Sequence, residues 1–109
     1  MAAVLKTVSP KGDVGSNPTP SAIKIKMYYV YILKSQRDGN SYIDYTTDLR
    51  KRFQEHQDGK VESTKPRRPM ELIFYEAYKN MGDARRRERY FKTSGGKSSL
   101  RMMLRDSLK

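Results

Sequence analysis

The chain has no cysteine, no tryptophan and a single histidine among its 109 residues. Without cysteine there is no disulfide, no thiolate metal centre and no cysteine nucleophile. One histidine, His56, cannot assemble a histidine-rich metal site, so a metal ion bound here is a hard one held by oxygen, Mg²⁺ or Mn²⁺. Long hydrophobic runs are missing as well: no stretch approaches the roughly 20 apolar residues needed to span a bilayer. The expectation is a soluble, cytoplasmic protein that makes no membrane contact. Acidic residues are scarce, 12 against 23 Lys and Arg, which leaves a formal net charge of +11. Such an excess favours polyanions through phosphate contacts and counterion release, and suits association with the nucleoid.

The length allows one domain, burying roughly 60–65% of the surface of its unfolded chain. Residues 1–26 do not match the rest. Lys11 to Ser21 is rich in turn formers and has no periodicity, so it reads as a disordered tail. Gly15-Ser16-Asn17-Pro18 is also the peptide obtained by translating the T-arm consensus of a transfer-RNA gene. This segment is therefore expected to be a disordered or non-native extension before Met27, and residues 27–109 to be the folded domain.

What the rest contains is organised around Tyr29 to His56. Tyr28-Tyr29-Val30-Tyr31-Ile32-Leu33 is a nearly unbroken β-branched, aromatic and aliphatic run, suited to a central strand. Arg37-Asp38-Gly39-Asn40 favours positive φ and reverses the chain into a second strand, Ser41 to Tyr45. Because residues two apart share a face, Tyr31 and Tyr42 can reach the same side of this hairpin. The period then changes to about 3.6, predicting a helix over 48–57 capped by Thr46 or Thr47. Leu49 and Phe53 pack on the sheet, and Arg52 and His56, also four apart, border the tyrosines.

Asp58 to Pro69 reads as a basic surface loop, with Lys60, Lys65, Arg67 and Arg68 available to phosphates; on composition a solvated loop fits equally well. Lys51 and Arg85 extend this candidate nucleic-acid surface. Glu71 to Tyr78 predicts a third strand completing a small antiparallel sheet. Asp83 is the expected N-cap of a helix from Ala84 to Thr93, with Ala84 and Phe91 facing the core. Glu88 lies on that inward stripe, four after Ala84 and three before Phe91; it also stands four before Lys92, the spacing of an ordinary helical ion pair. Ser94 to Lys97 reads as the stop of this helix through its glycines, and Ser98 or Ser99 as the cap of a last helix. The stripe of that helix, Leu100, Met103, Leu104 and Leu108, closes the core. Gly95-Gly96-Lys97-Ser98 lacks the first glycine and the preceding strand of a phosphate-binding loop, so no nucleotide cofactor is expected.

Taken in order, these residues resemble the GIY-YIG nuclease family, specifically its small single-domain, UPF0213-type members. Tyr29-Val30-Tyr31 stands at the first motif and Tyr42-Ile43-Asp44 at the second. Eleven positions separate Tyr31 from Tyr42, ten separate Tyr42 from Arg52, and four separate Arg52 from His56. The resemblance runs from Tyr28 to about Leu104. It implies an α/β domain (α+β in arrangement) of order β-β-α-β-α-α, a three-stranded antiparallel sheet flanked by helices. It also implies a metal-dependent endonuclease acting on DNA, branched or single-stranded forms included, of the kind found in repair.

By the same resemblance Tyr31 is the general base or water positioner, Tyr42 orients phosphate and water, Arg52 holds the scissile phosphate, His56 assists the proton, and Glu88 binds Mg²⁺ or Mn²⁺. A tyrosine base needs help, since a free phenol with a pKa of about 10 is protonated at neutral pH; Arg52 and the metal ion are expected to favour the phenolate. The chain departs from the family at Asp44, where the second motif has glycine, and at Gln57, where the small members carry asparagine. Asp44 puts a Cβ and a negative charge beside the phosphate site. The rival expectation is therefore a weakened or inactive relative that binds nucleic acid without cutting it. A third is an interaction module for an acidic protein partner.

Overall fold

The computed structural model describes residues 26–109; the expectation for residues 1–26 thus falls almost entirely outside the described residues. The elements are β1 (Tyr28–Ser35), β2 (Ser41–Thr46), α1 (Leu49–Gln57), a short 3-10 turn (Lys65–Arg67), β3 (Met70–Tyr78), α2 (Met81–Phe91) and α3 (Ser94–Met103). This is the expected β-β-α-β-α-α order, and β1 is the central strand of an antiparallel sheet ordered β2-β1-β3. Gly39 makes the hairpin turn at φ +76. The buried Ser35 hydroxyl braces it, accepting from the Arg37 and Asp38 amides and donating to the Arg67 carbonyl.

Alternation along β1 builds a core on each face of the sheet. Val30 and Ile32 join Ile43, Ala84, Phe91, Leu100 and Leu104 under α2 and α3. Tyr31 and Leu33 join Met70 on the other face, where Leu49 and Phe53 of α1 cover them with Tyr42, Leu72 and Tyr75. Leu72 and Tyr75 are an odd number of residues apart and still share a face, because Ile32 pairs with Phe74 while Leu33 pairs with Leu72. The unpaired Ile73 is the bulge that restores the alternation.

Helix ends differ from the sequence reading, each for a local reason. Asp48, not Thr46 or Thr47, caps α1: its carboxylate accepts from the Lys51 amide, and the Thr46 hydroxyl instead accepts from the amide of Asp48. Asn80, not Asp83, caps α2, accepting from the Gly82 amide at 2.7 Å. Asp83 falls in the first turn, where its charge suits the helix dipole. The helix ends at Phe91 rather than Thr93. Thr93 caps α3, so Ser94 to Lys97 are its first turn and not a stop, and neither Ser98 nor Ser99 is a cap.

The glycine that matters there is Gly96. A Cβ on it would lie 1.9 Å from the Tyr90 carbonyl oxygen, so its small size lets α3 leave α2 at a tight corner. Leu100 and Leu104 are buried as expected, whereas Met103 is half exposed and does not close the core. Glu76, buried on β3, is held by a forked pair of bonds from Arg87 at 3.0 and 3.3 Å and by the Tyr78 hydroxyl at 2.8 Å.

Candidate active site

The α1 face of the sheet gathers Tyr31, Tyr42, Asp44, Arg52 and His56. Tyr31, in the middle of β1, is fully buried, and its hydroxyl lies 2.9 Å from Nε2 of His56. His56, also fully buried, brings Nδ1 to 2.8 Å from the Thr64 hydroxyl. The Thr64 hydroxyl donates toward the Val61 carbonyl. It therefore accepts from Nδ1–H, which leaves Nε2 unprotonated and accepting from Tyr31. The rings of Tyr31 and Tyr42 stand edge-on to the imidazole at 5.8 and 5.1 Å.

The electrostatics keep this chain of bonds neutral. Burial, and after it the Arg52 guanidinium, holds His56 below the ordinary histidine range. Burial, followed by the charge of Asp44, pushes the Tyr31 phenol up; a hydrogen bond with Arg52 opposes the rise without cancelling it. The expectation that Arg52 would favour a phenolate is thus not met in the resting site, because desolvation outweighs the guanidinium. Burial raises the Tyr42 phenol as well, against a hydrogen bond with Ser63.

Asp44 sits among these groups. One carboxylate oxygen accepts from the Tyr42 hydroxyl at 2.9 Å and the other from the Tyr45 amide at 2.8 Å. Arg52 is ion-paired with Glu55 at 3.0 Å. A cleft of about 590 Å³ opens here, bordered by Asp44, Asp48, Lys51, Arg52 and Glu55.

Glu88 lies on α2, across the sheet from α1. Its side chain is 13% exposed, and Lys92 pairs with it at 3.0 Å, the ordinary helical pair that its spacing allows. Burial works against the Lys92 charge, but Glu88 outweighs it and, with lesser help from Asp44 and Tyr42, raises the Lys92 pKa. The Glu88–Lys92 pair therefore stands within electrostatic range of the tyrosine side of the site, although no direct bond joins them. Among the described residues no three acidic or imidazole side chains converge as a metal cage. A lone carboxylate already holding a cation fits a hard ion that keeps most of its waters, the usual habit of Mg²⁺.

The candidate phosphate-binding residues separate into two groups. Lys51, Lys60, Lys65 and Arg85 are exposed. Arg67 and Arg68 are structural ties: Arg67 pairs with Asp38 at 3.0 Å, and Arg68 donates to the Lys65 and Gln57 carbonyls. The loop is not wholly a surface one, since Val61 and Thr64 are buried. Thr64, the partner that orients His56, is the site residue that sequence reading missed; a threonine in a polar loop carries no local signal of burial. Gln57 also has a structural task, its side-chain oxygen accepting from the Met70 amide at 3.0 Å.

Comparison with known proteins shows the family of the chain. The family model of the GIY-YIG catalytic domain matches residues 27–101. The chain is 44% identical over 66 residues to the UPF0213 protein YazA of Bacillus subtilis, a match covering 60% of this chain and 66% of that protein. It is 38% identical over 77 residues to a UPF0213 protein of Staphylococcus haemolyticus, covering 70% of this chain and 93% of the relative. A UPF0213 protein of Clostridium perfringens is 34% identical over 84 residues, covering 76% of this chain and 89% of the relative. No solved structure matches the chain. Among the described residues no helix is long and apolar enough to cross a membrane.

Proposed function

The chain belongs to the GIY-YIG family, and from that premise we propose that it is a divalent-metal-dependent endonuclease that hydrolyses DNA phosphodiester bonds, directed by backbone or structure rather than base sequence. The observation that carries the reading is the Tyr31–His56–Thr64 relay beside Arg52. Hydrolysis needs a group to take a proton from the attacking water and positive charge on the phosphoryl oxygens. Tyr31 is raised in pKa, so it works as a conduit: its oxygen takes the proton of the water while its own O–H proton passes to Nε2 of His56. The depressed basicity of His56 keeps that nitrogen free at neutral pH, and Thr64 fixes the receptive tautomer.

Tyr31 is covered in the resting site. Arg52, paired with Glu55 and electrostatically coupled to the Tyr31 phenol, turns from Glu55 onto the scissile phosphate. Tyr42 orients the phosphate from the other side. Glu88 would hold a hydrated Mg²⁺ or Mn²⁺, which would supply positive charge to the phosphoryl and leaving oxygens. Lys51, Lys60, Lys65 and Arg85 hold flanking phosphates.

A second reading is favoured by Asp44. Its carboxylate takes the Tyr42 hydroxyl, a donor that a phosphate would use, which suits a protein that binds nucleic acid without cutting it. Labelled single-stranded, duplex and branched DNAs with Mg²⁺ or Mn²⁺ decide between them, comparing the parent chain with Glu88→Ala and Asp44→Gly. Cleavage by the parent, lost by about 100-fold or more in Glu88→Ala, is the expected result. Binding with no cleavage by the parent, and cleavage by Asp44→Gly, moves the conclusion to the second reading. Binding with no cleavage by any of the three removes the nuclease reading.

A further inference from the structure

A second cleft, of about 560 Å³, opens between the hairpin tip and α3 and shares Tyr42 with the candidate site. Leu100 and Leu108 give it an apolar floor, and Lys92, Lys97 and Arg101 stand along its α2 and α3 wall. Lys97 and Arg101 are exposed and four residues apart on α3, so they project from one face about 6 Å apart along the axis. Among the described residues nothing pairs with Lys97, and Arg101 bonds only the Ser98 hydroxyl. Among the described residues the one carboxylate bonded to any of the three cations is Glu88, on Lys92.

We infer that this cleft receives a single-stranded segment of nucleic acid running out of the candidate site past Tyr42, its phosphates on Lys97, Arg101 and Lys92. The inference rests on the nucleic-acid reading above and adds the path of the strand and its single-stranded state. Charge complementarity selects a polyanion: three cations line the wall, two of them without a carboxylate partner. The floor selects the single strand, because unpaired bases present apolar faces for Leu100 and Leu108, whereas a duplex keeps its bases stacked inside. An acidic peptide would satisfy the cations but would leave the floor without a flat apolar partner. Lys92, paired with Glu88 at 3.0 Å, stands at the α2 end of this wall.

The test is equilibrium binding in EDTA, so that no cleavage intervenes, using fluorescence anisotropy of a labelled oligothymidylate of about 12 nucleotides and a duplex of equal length. The parent chain is compared with the double variant Lys97→Gln, Arg101→Gln. Both positions are exposed, and an unchanged melting temperature checks the fold. The parent is expected to prefer the single strand. The double variant is expected to lose affinity for it by about 25-fold at about 0.1 M salt, with a slope of log affinity against log salt shallower by about 1.4, two phosphate contacts at about 0.7 each. An unchanged slope, or a parent that prefers the duplex, overturns the inference. Cleavage by the parent with binding indifferent to the double variant overturns it while the nuclease reading stands. Sensitive binding with no cleavage does the reverse, and a parent that binds no nucleic acid overturns both.

Discussion

Thr64→Val removes one hydroxyl and keeps the shape. Because Thr64 and His56 are both fully buried, water cannot replace the lost acceptor at 2.8 Å from Nδ1. An unsatisfied buried polar atom costs about 1–3 kcal/mol, which in a domain of this size is about 5–20 °C in melting temperature. The imidazole has one way to lessen the cost: moving its proton to Nε2, which then donates to Tyr31 and can no longer accept from it. Cleavage should fall by about 10- to 100-fold, the usual consequence of removing a partner that orients a functional histidine. Since His56 is the sole histidine, its ring nitrogens give one unambiguous set of ¹⁵N signals. They should report Nδ1–H in the parent, Nε2–H in Thr64→Val, and Nδ1–H again in Thr64→Ser, with activity following the tautomer. A Thr64→Val protein that melts within about 2 °C of the parent and keeps the Nδ1–H form would refute the relay.

Gly96→Ala should cost more than about 3 kcal/mol and leave the protein largely unfolded by circular dichroism, because its Cβ would meet Tyr90 and Phe91 backbone atoms that cannot give locally. Arg87→Ala should cost about 3 kcal/mol in urea unfolding, since it strands the buried Glu76 and strips a guanidinium stacked 4.4 Å over Phe91; an equally stable variant would mean that Tyr78 alone satisfies the carboxylate. Stability should also fall as pH drops. His56 has a lower pKa folded than unfolded, so the unfolded chain binds more protons below about 6.5; the contribution is complete above that value and is lost progressively below it. His56→Gln should flatten the difference in unfolding free energy between about pH 7 and 5, and an unchanged slope would place the titration elsewhere.

Strands were legible because a short, nearly unbroken β-branched and aromatic run such as Tyr28 to Leu33 suits a central strand covered on both faces, and Gly39 marks its turn by backbone chemistry. The helix junction at Thr93 was not legible. Gly95 and Gly96 have the local look of a stop, and only the proximity of the Tyr90 carbonyl, set by tertiary packing, shows that Gly96 is there for clearance. The spacing of Tyr31, Tyr42, Arg52 and His56 placed four side chains on one face, and these do meet. What holds His56 could not be read in the same way. Its partner lies eight residues on, in an irregular loop whose path has no period, and Val61 is the one buried apolar residue there to signal that the loop turns inward.

On the nuclease reading, charge makes Asp44 the residue on which the chemistry turns. The whole chain carries +11, yet the cleft at Arg52 is bordered by Lys51 and Arg52 against Asp44, Asp48 and Glu55, a local balance of −1. Long-range attraction therefore delivers a polyanion to a mouth that repels it at contact distance, where the low dielectric of a half-buried site magnifies each charge. Some of this is removable: Arg52 leaving Glu55 exposes a solvated carboxylate that water can screen, and Asp48 is committed to capping α1. Asp44 has neither escape, being half buried and held by Tyr42 and the Tyr45 amide. Replacing it with glycine brings the local balance to zero and frees the Tyr42 hydroxyl in one step. For that reason the effect of Asp44→Gly on binding and on cleavage must be read separately. Tighter binding with unchanged turnover of bound DNA would make Asp44 a barrier to entry, whereas faster turnover at equal affinity would make it a competitor for the donor that the phosphate needs.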